Sequence, residues 1–306
     1  MREGSAIYDT LHADRVVIGG GDENAKIKII EVFKNVDEFK NTVDTQNFQE
    51  YAKTYITDDN GKGNFVSKLV LTSIESAELI KVTANAFLAL KISFANSIAL
   101  LCDETGANIN EVMDGLGLDR RISRSFLYAG LGWGGGCFPK DVSGLMSTFK
   151  AFGLSNPILD GAVQVNDFMP EFVTQKVLKI NKSKVAILGL SFKPGTSDVR
   201  KSQSIKLANT LAKHKLYVFA FDPQANEEAR RDLDTSIKIC KSIEEAVEQA
   251  EIIVIATEWN EFKNINWKKL SKQTKARVVI DARNALNRKE LKSAGFNYQG
   301  VGIGEV

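Results

Sequence analysis

The sequence predicts an α/β chain in which an all-helical domain built on one long helix precedes a doubly wound parallel sheet. Three observations carry this. Apolar residues recur at three- and four-residue steps from Ile74 to Leu101 with no proline among them. Short apolar strands alternate with helical segments from Asn181 onward. Between the two lies Gly132-Trp133-Gly134-Gly135-Gly136, where clustered glycines permit backbone angles that other residues avoid. The expected domains are residues 1–73, a connecting segment; 74–180, the helical domain; and 181–306, the sheet.

Taken in order, Val16-Val17-Ile18-Gly19 reads as a short strand close to the start, and such a strand needs a sheet to join. Mixed helical segments follow to about residue 60, and Asp58 to Gly63 reads as a turn. Leu69–Ser73 is a second short strand. The helix from Ile74 to Leu101 should run roughly 42 Å at about 1.5 Å per residue. Its apolar residues cover more than one stripe, which predicts burial by a second subunit as well as its own, hence a homodimer through residues 74–101. Shorter helices are expected at Asn110–Leu116, Ser143–Phe152 and Asp160–Leu178. Then come strand Val185–Leu190, helix Ser202–Lys213, strand Tyr217–Phe221, helix Asn226–Leu233, strand Ile237–Cys240 and helix Ser242–Gln249. Strands Ile252–Thr257, Arg277–Asp281 and Asn297–Gly302 complete the sheet.

Composition narrows the function classes. The formal net charge of +2 with scattered lysines leaves no electrostatic footprint for nucleic acid or a membrane surface. No signal peptide is expected, and no apolar run approaches the about 20 residues that span a bilayer. Cys102, Cys137 and Cys240 form an odd, widely spaced set without a disulfide or zinc pattern, which fits a reducing, cytoplasmic setting.

Cys137 is the first candidate for chemistry. It follows three glycines and precedes Phe138-Pro139-Lys140-Asp141, so it should sit exposed where the chain enters a helix, beside a lysine, a setting that favours a reactive thiol. Cys102 and Cys240 read as core residues. Lys81 and Asn85 share one helix face; they are either an exposed polar pair or a buried, functional one. Lys193 and Arg200 follow the first strand of the sheet, where a basic loop suits phosphates but also serves as a solvated turn. Gly189-Leu190-Ser191-Phe192 lacks the second and third glycines of a dinucleotide turn, so Asp222 at the next strand end reads as a turn cap before Pro223.

At these residues a resemblance emerges. Arg2-Glu3-Gly4-Ser5-Ala6, Asp14 to Gly19, Ala77-Glu78-Leu79-Ile80-Lys81 with Asn85 to Ala89, Gly134 to Asp141, and Gly189 to Thr196 with Asp198-Val199-Arg200 resemble, in order and spacing, the UDP-glucose/GDP-mannose dehydrogenases. The similarity spans almost the whole chain, and the cysteine motif looks more like the UDP-glucose-oxidising members than those acting on UDP-N-acetylmannosamine. The resemblance implies a Rossmann-like C-terminal domain for the nucleotide-sugar and oxidation of an alcohol to a uronic acid with two NAD. It implies Cys137 as nucleophile through a thiohemiacetal and thioester, Lys81 at the oxyanion, and Asn85 with Asp141 holding a water. Glu3, Phe126, Leu127, Tyr128, Ala129, Gly130, Gly132, Gly134, Phe138, Lys193 and Arg283 would contact the substrate, Arg121 that of the neighbouring subunit. Lys140 and Arg200 would meet NAD.

Four departures stand out. The family's N-terminal Rossmann domain with its GxGxxG turn is not in this sequence, nor is the first glutamate of the Pro-Glu-Phe-Leu motif. Gly136 stands where serine is usual, and residues around 35–65 are longer than the family's link. This chain alone is therefore expected not to reduce NAD. GDP-mannose or another UDP-hexose is the alternative substrate, and a non-catalytic nucleotide-sugar-binding or dimerisation module is the alternative class.

Overall fold

The structure, a computed structural model, describes residues 15–22, 24–29 and 69–303, in two units, residues 1–84 and 85–306. In the first, β1 (Val16–Gly19) pairs in parallel with β2 (Leu69–Thr72), Val16 opposite Leu69 and Gly19 opposite Thr72. The two predicted strands thus partner each other. Helix α1 (Ile74–Thr105) begins in this unit, where Ser73 Oγ accepts from Ser76 N at 3.2 Å, an N-cap by a residue type suited to it.

The second unit holds the rest of α1, then α2 (Ile109–Gly117), α3 (Phe138–Ala151) and α4 (Pro157–Lys179). The sheet region follows as β3 (Lys184–Leu188), α5 (Gln203–Lys213), β4 (Tyr217–Phe221), α6 (Asn226–Ala229), β5 (Lys238–Ile239), α7 (Ile243–Glu248) and β6 (Ile252–Ile255). It closes with α8 (Asn260–Lys263), α9 (Trp267–Leu270), β7 (Val278–Asp281), α10 (Arg288–Ser293) and β8 (Asn297–Gly300). The six strands are all parallel in the order β5-β4-β3-β6-β7-β8. Chain order reverses between β3 and β6, the place where such sheets open a ligand crevice at their carboxyl ends. Strand residues Val185 to Leu188 and Ile252 to Ile255 are buried on both faces, as continuous apolar runs require. One face packs on Leu207, Leu211, Met169 and Val173, the other on Trp259, Phe262 and Trp267.

The structure shows how α1 packs within this chain and corrects one expectation about it. Its core face is a row of small residues, Ala86, Ala89, Ser93, Ala95, Asn96, Ala99 and Cys102, which let neighbouring backbone come close. Its large residues Phe87, Phe94 and Leu101, seven apart, face outward, Phe87 and Leu101 each 59% exposed. Within this chain the small-residue face of α1 is the buried one, the large-residue face is exposed, and of the two readings left open for Lys81 the exposed one holds. The helix is also long and apolar enough to cross a membrane, contrary to the sequence expectation. Its packing is that of a core helix: Ser93 Oγ donates to Ala162 O at 2.7 Å, and Asn96 Oδ1 accepts from Gly130 N at 2.8 Å.

Cys102 and Cys240 are core residues, as predicted. Burial is the main cause that pushes the Cys240 thiol up to about 11, above its ordinary 9.0, with Glu245 adding to it. A raised acid contributes stability that is present below pH 9 and lost as pH rises through about 11. Urea unfolding followed from pH 8 to 11 should show stability falling across that window. Cys240→Ala should flatten the fall; an identical slope in the variant would show that the thiol does not contribute.

Candidate active site

Cys137 is the N-cap residue of α3 and is exposed. The helix begins five residues earlier than predicted, because Pro139 sits in its first turn, where a missing N–H costs nothing. Asp141 N donates to Cys137 O at 2.9 Å, which sets the two side chains one turn apart. Asp141 is buried despite its charge, and its Oδ2 accepts from Asn85 Nδ2 of α1. Lys140 Nζ lies 3.7 Å from Asp141 Oδ1 and is largely exposed. Three of the residues predicted for catalysis therefore meet at one helix start. Lys81 stands one turn before Asn85 along α1.

The glycines before Cys137 serve close packing against residues 190–201. Gly135 has φ +83°, donates its N–H to Arg200 O at 2.8 Å, and a Cβ there would lie 2.7 Å from the Phe192 ring. At Gly136 a Cβ would meet the Arg200 guanidinium at 2.7 to 2.9 Å. The serine usual at this position would displace that guanidinium, which Asp198 grips through Nε and Nη2 at 2.9 and 2.6 Å.

Residues 126–133 form the wall beside the cysteine. Leu127, Ala129, Gly130, Gly132 and Trp133 are buried, while Tyr128 is exposed with Arg124 4.7 Å above its ring. Phe126 holds a positive φ of 64°, and its ring meets that of Phe138 at 6.3 Å. Gly134 is half-buried. Arg121 is exposed and paired with Asp119, and Glu3 lies outside the described residues. A cleft of about 560 Å³ opens between α3 and α4, lined in part by Trp133, Met146, Val163 and Asn166. Cys137, Asn85 and Asp141 do not line it.

Two basic residues stand at the carboxyl ends of the strands. Lys193 is half-buried after β3, its Nζ 5.5 Å from the Phe192 ring centre. Arg283 follows β7, with Nε donating to Ala256 O at 2.8 Å and Nη1 to Gly132 O at 2.9 Å. Glu258 lies 3.4 Å from the same Nε. Beneath them Asp281 is fully buried; desolvation pushes its carboxyl up, opposed by donors from Leu286, Arg283, Tyr298 and Ala285.

Asp222 is the turn cap the sequence predicted, its Oδ1 accepting from Gln224 N and Ala225 N, both at 2.9 Å. Its second oxygen was not foreseen: Oδ2 accepts from Leu190 N, Ser191 N, Ser191 Oγ and Trp259 Nε1 at 2.7 to 3.1 Å. It thereby ties the basic loop after β3 to β4 and to Trp259. The same region does not suit a dinucleotide. Thr257 closes over Gly189, α5 starts only at Gln203, and Asp222 is fully engaged. The turn after β3 therefore has no helix start close enough to cradle a pyrophosphate.

The site thus joins an exposed cysteine at a helix start with basic residues at the carboxyl ends of a parallel sheet. Residues 75–168 match the central domain of the UDP-glucose/GDP-mannose dehydrogenase family, and residues 186–288 match its UDP binding domain. The chain belongs to the UDP-glucose/GDP-mannose dehydrogenase family. It is 36% identical over 308 residues to the UDP-glucose 6-dehydrogenase of Rickettsia typhi, covering 99% of this chain and 65% of that protein. The TuaD UDP-glucose 6-dehydrogenase of Bacillus subtilis is 34% identical, covering 99% and 60%. Among solved structures, a UDP-glucose dehydrogenase from Pyrobaculum islandicum aligns with a TM-score of 0.80 at 33% identity, covering 99% of this chain and 62% of that one. A UDP-D-ManNAc dehydrogenase from Pyrococcus horikoshii aligns at 0.76 and 26% identity, covering 100% and 64%. The chain thus spans about 65% of the length of the first of these curated relatives.

Proposed function

We propose that this chain carries the central helical domain (74–180) and the nucleotide-sugar domain (181–306) of an NAD-dependent UDP-glucose 6-dehydrogenase. The observation that carries this is the exposed Cys137 at the start of α3, with Asp141 one turn on and hydrogen-bonded to Asn85. Cys137 Sγ would add to the carbonyl carbon of the aldehyde at the sugar's C6 to give a thiohemiacetal; loss of a second hydride, to a second NAD, would leave a thioester, which water would cleave to the carboxylate and the free thiol. Asn85 with Asp141 holds the water and moves its proton, and Lys81 is the residue we assign to the developing oxyanion on the family resemblance. Phe126, Tyr128 and Phe138 border the sugar, and Lys193 and Arg283 take the diphosphate. Arg121 reaches the substrate of the neighbouring subunit; Glu3, which we assign to the sugar, lies outside the described residues. NAD is the hydride acceptor we assign; Lys140 and Arg200 are the side chains we assign to it, since the turn after β3 offers no cradle. A reducing cytoplasmic setting suits an exposed working thiol.

Calorimetry tests the diphosphate assignment. A charge-assisted phosphate contact contributes about 1.5–3 kcal/mol, so Lys193→Ala should weaken UDP binding by about 10- to 100-fold. Unchanged affinity would move the pocket elsewhere. Binding of GDP-mannose without UDP-glucose would refute the substrate and leave the fold untouched.

Phe87, Phe94 and Leu101 support a homodimer through the exposed face of α1, since three large apolar side chains at seven-residue spacing form the stripe a partner helix covers. Light scattering should give a dimer at micromolar concentration, and Phe94→Asp should give a monomer. A monomeric wild type would contradict this.

A further inference from the structure

Residues 130–133 are held by side chains from α1, α4, α5 and the loop after β7. Asn96 of α1 accepts from Gly130 N, and Arg283 donates to Gly132 O. Gln203 of α5 donates to Trp133 O at 3.2 Å, and Trp133 Nε1 donates to Ser93 Oγ at 3.0 Å. Asn166 of α4, 4% exposed, does more: its Oδ1 accepts from Trp133 N at 2.7 Å while its Nδ2 donates to Trp133 O at 3.1 Å. One amide thus grips both sides of one residue, as a neighbouring strand would. The fit is close, because a Cβ on Gly132, at φ +106°, would lie 2.5 Å from Asn166 Oδ1.

Between Trp133 and Cys137 the chain has only Gly134, Gly135 and Gly136, which bring no side chain of their own to anchor it. Gly135 N ties this run to Arg200 O at 2.8 Å. Glycine is the residue with the most backbone freedom, so the position of Cys137 depends on how firmly the loop is fixed just before it. We propose that Asn166 is the positioning residue of the cysteine site, setting through the Trp133 peptide where Cys137 meets the sugar end of the bound nucleotide-sugar. The sugar part of this rests on the functional reading above; the grip on the loop does not. Asn166 is also separable from the stability of α4, whose Met169, Val173 and Val177 fix that helix in the core.

The full chain with Asn166→Ala and with Asn166→Asp tests it by amide hydrogen exchange and by calorimetry with UDP and UDP-glucose. In Asn166→Ala the Gly135 amide, which Asn166 does not touch, should exchange about tenfold faster, while the β6 amides stay unchanged. UDP-glucose affinity should fall about tenfold while UDP affinity stays within about twofold. Asn166→Asp keeps the acceptor for Trp133 N and loses the donor, so it should lie between. If Gly135 keeps its protection, or if every amide loosens together, the positioning role is overturned. A wild type that binds neither UDP nor UDP-glucose would sink the functional reading, and amide exchange would then decide the role of Asn166 by itself.

Discussion

Replacing Asp222 with alanine should destabilise the chain by about 3–5 kcal/mol, the range for removing one partner of a buried, charge-assisted network. The residue is 1% exposed and gathers six donors, from Leu190, Ser191, Gln224, Ala225 and Trp259. Alanine would leave the Leu190 and Ser191 amides in a dry interior without this acceptor, while the Trp259 indole N–H keeps Ser191 Oγ at 3.1 Å. Asp222→Asn should cost less, because its remaining oxygen can still serve the Oδ2 cluster while its amide nitrogen faces the Gln224 and Ala225 donors. Urea denaturation at pH 7 measures both. A loss under about 1 kcal/mol for the alanine variant would mean that water replaces the carboxylate, and that the loop carrying Lys193 is held by other means.

A large chemical contrast is expected among the three cysteines. Cys137 is exposed at a helix start, whereas Cys102 and Cys240 are buried and both pushed above their ordinary values, chiefly by desolvation. Under native conditions iodoacetamide should modify Cys137 about 100-fold faster than either of the others, which react only on local opening. Peptide mapping after timed quenching gives the three rates. Comparable rates at Cys137 and Cys240 would contradict the placement of the thiol.

Much of this site was legible because its parts are near one another in sequence. Glycines, cysteine, proline and lysine in one run implied an exposed Cys137 where the chain enters a helix, and that is what forms. The start of α3 was placed late, at Ser143, because the clustered glycines were read as keeping the whole run through Asp141 out of regular structure, when the first turn already begins at Phe138 and tolerates Pro139. Asn85 was found through its helical spacing from Lys81, although its partner Asp141 lies 56 residues away. What remained hidden is held by long-range polar contacts: Asn166 to Trp133, Gln203 to the same carbonyl, Asp222 to Trp259. Buried amides and carboxylates of this kind look like surface residues in a sequence, since nothing local names their partners. Which stripe of α1 packs within this chain was also hidden, because periodicity marks both stripes as apolar while close packing in this chain runs along its alanines.

The central claim is that Cys137 works on a nucleotide-sugar held at the strand ends, and protection of that thiol tests it directly. Saturating UDP-glucose, with binding confirmed by calorimetry, should slow iodoacetamide modification of Cys137 by about tenfold or more. UDP, which lacks the sugar, should protect far less, and GDP-mannose should not protect at all. If bound UDP-glucose leaves the Cys137 rate unchanged, the sugar does not reach the thiol and the proposed chemistry at this site is wrong.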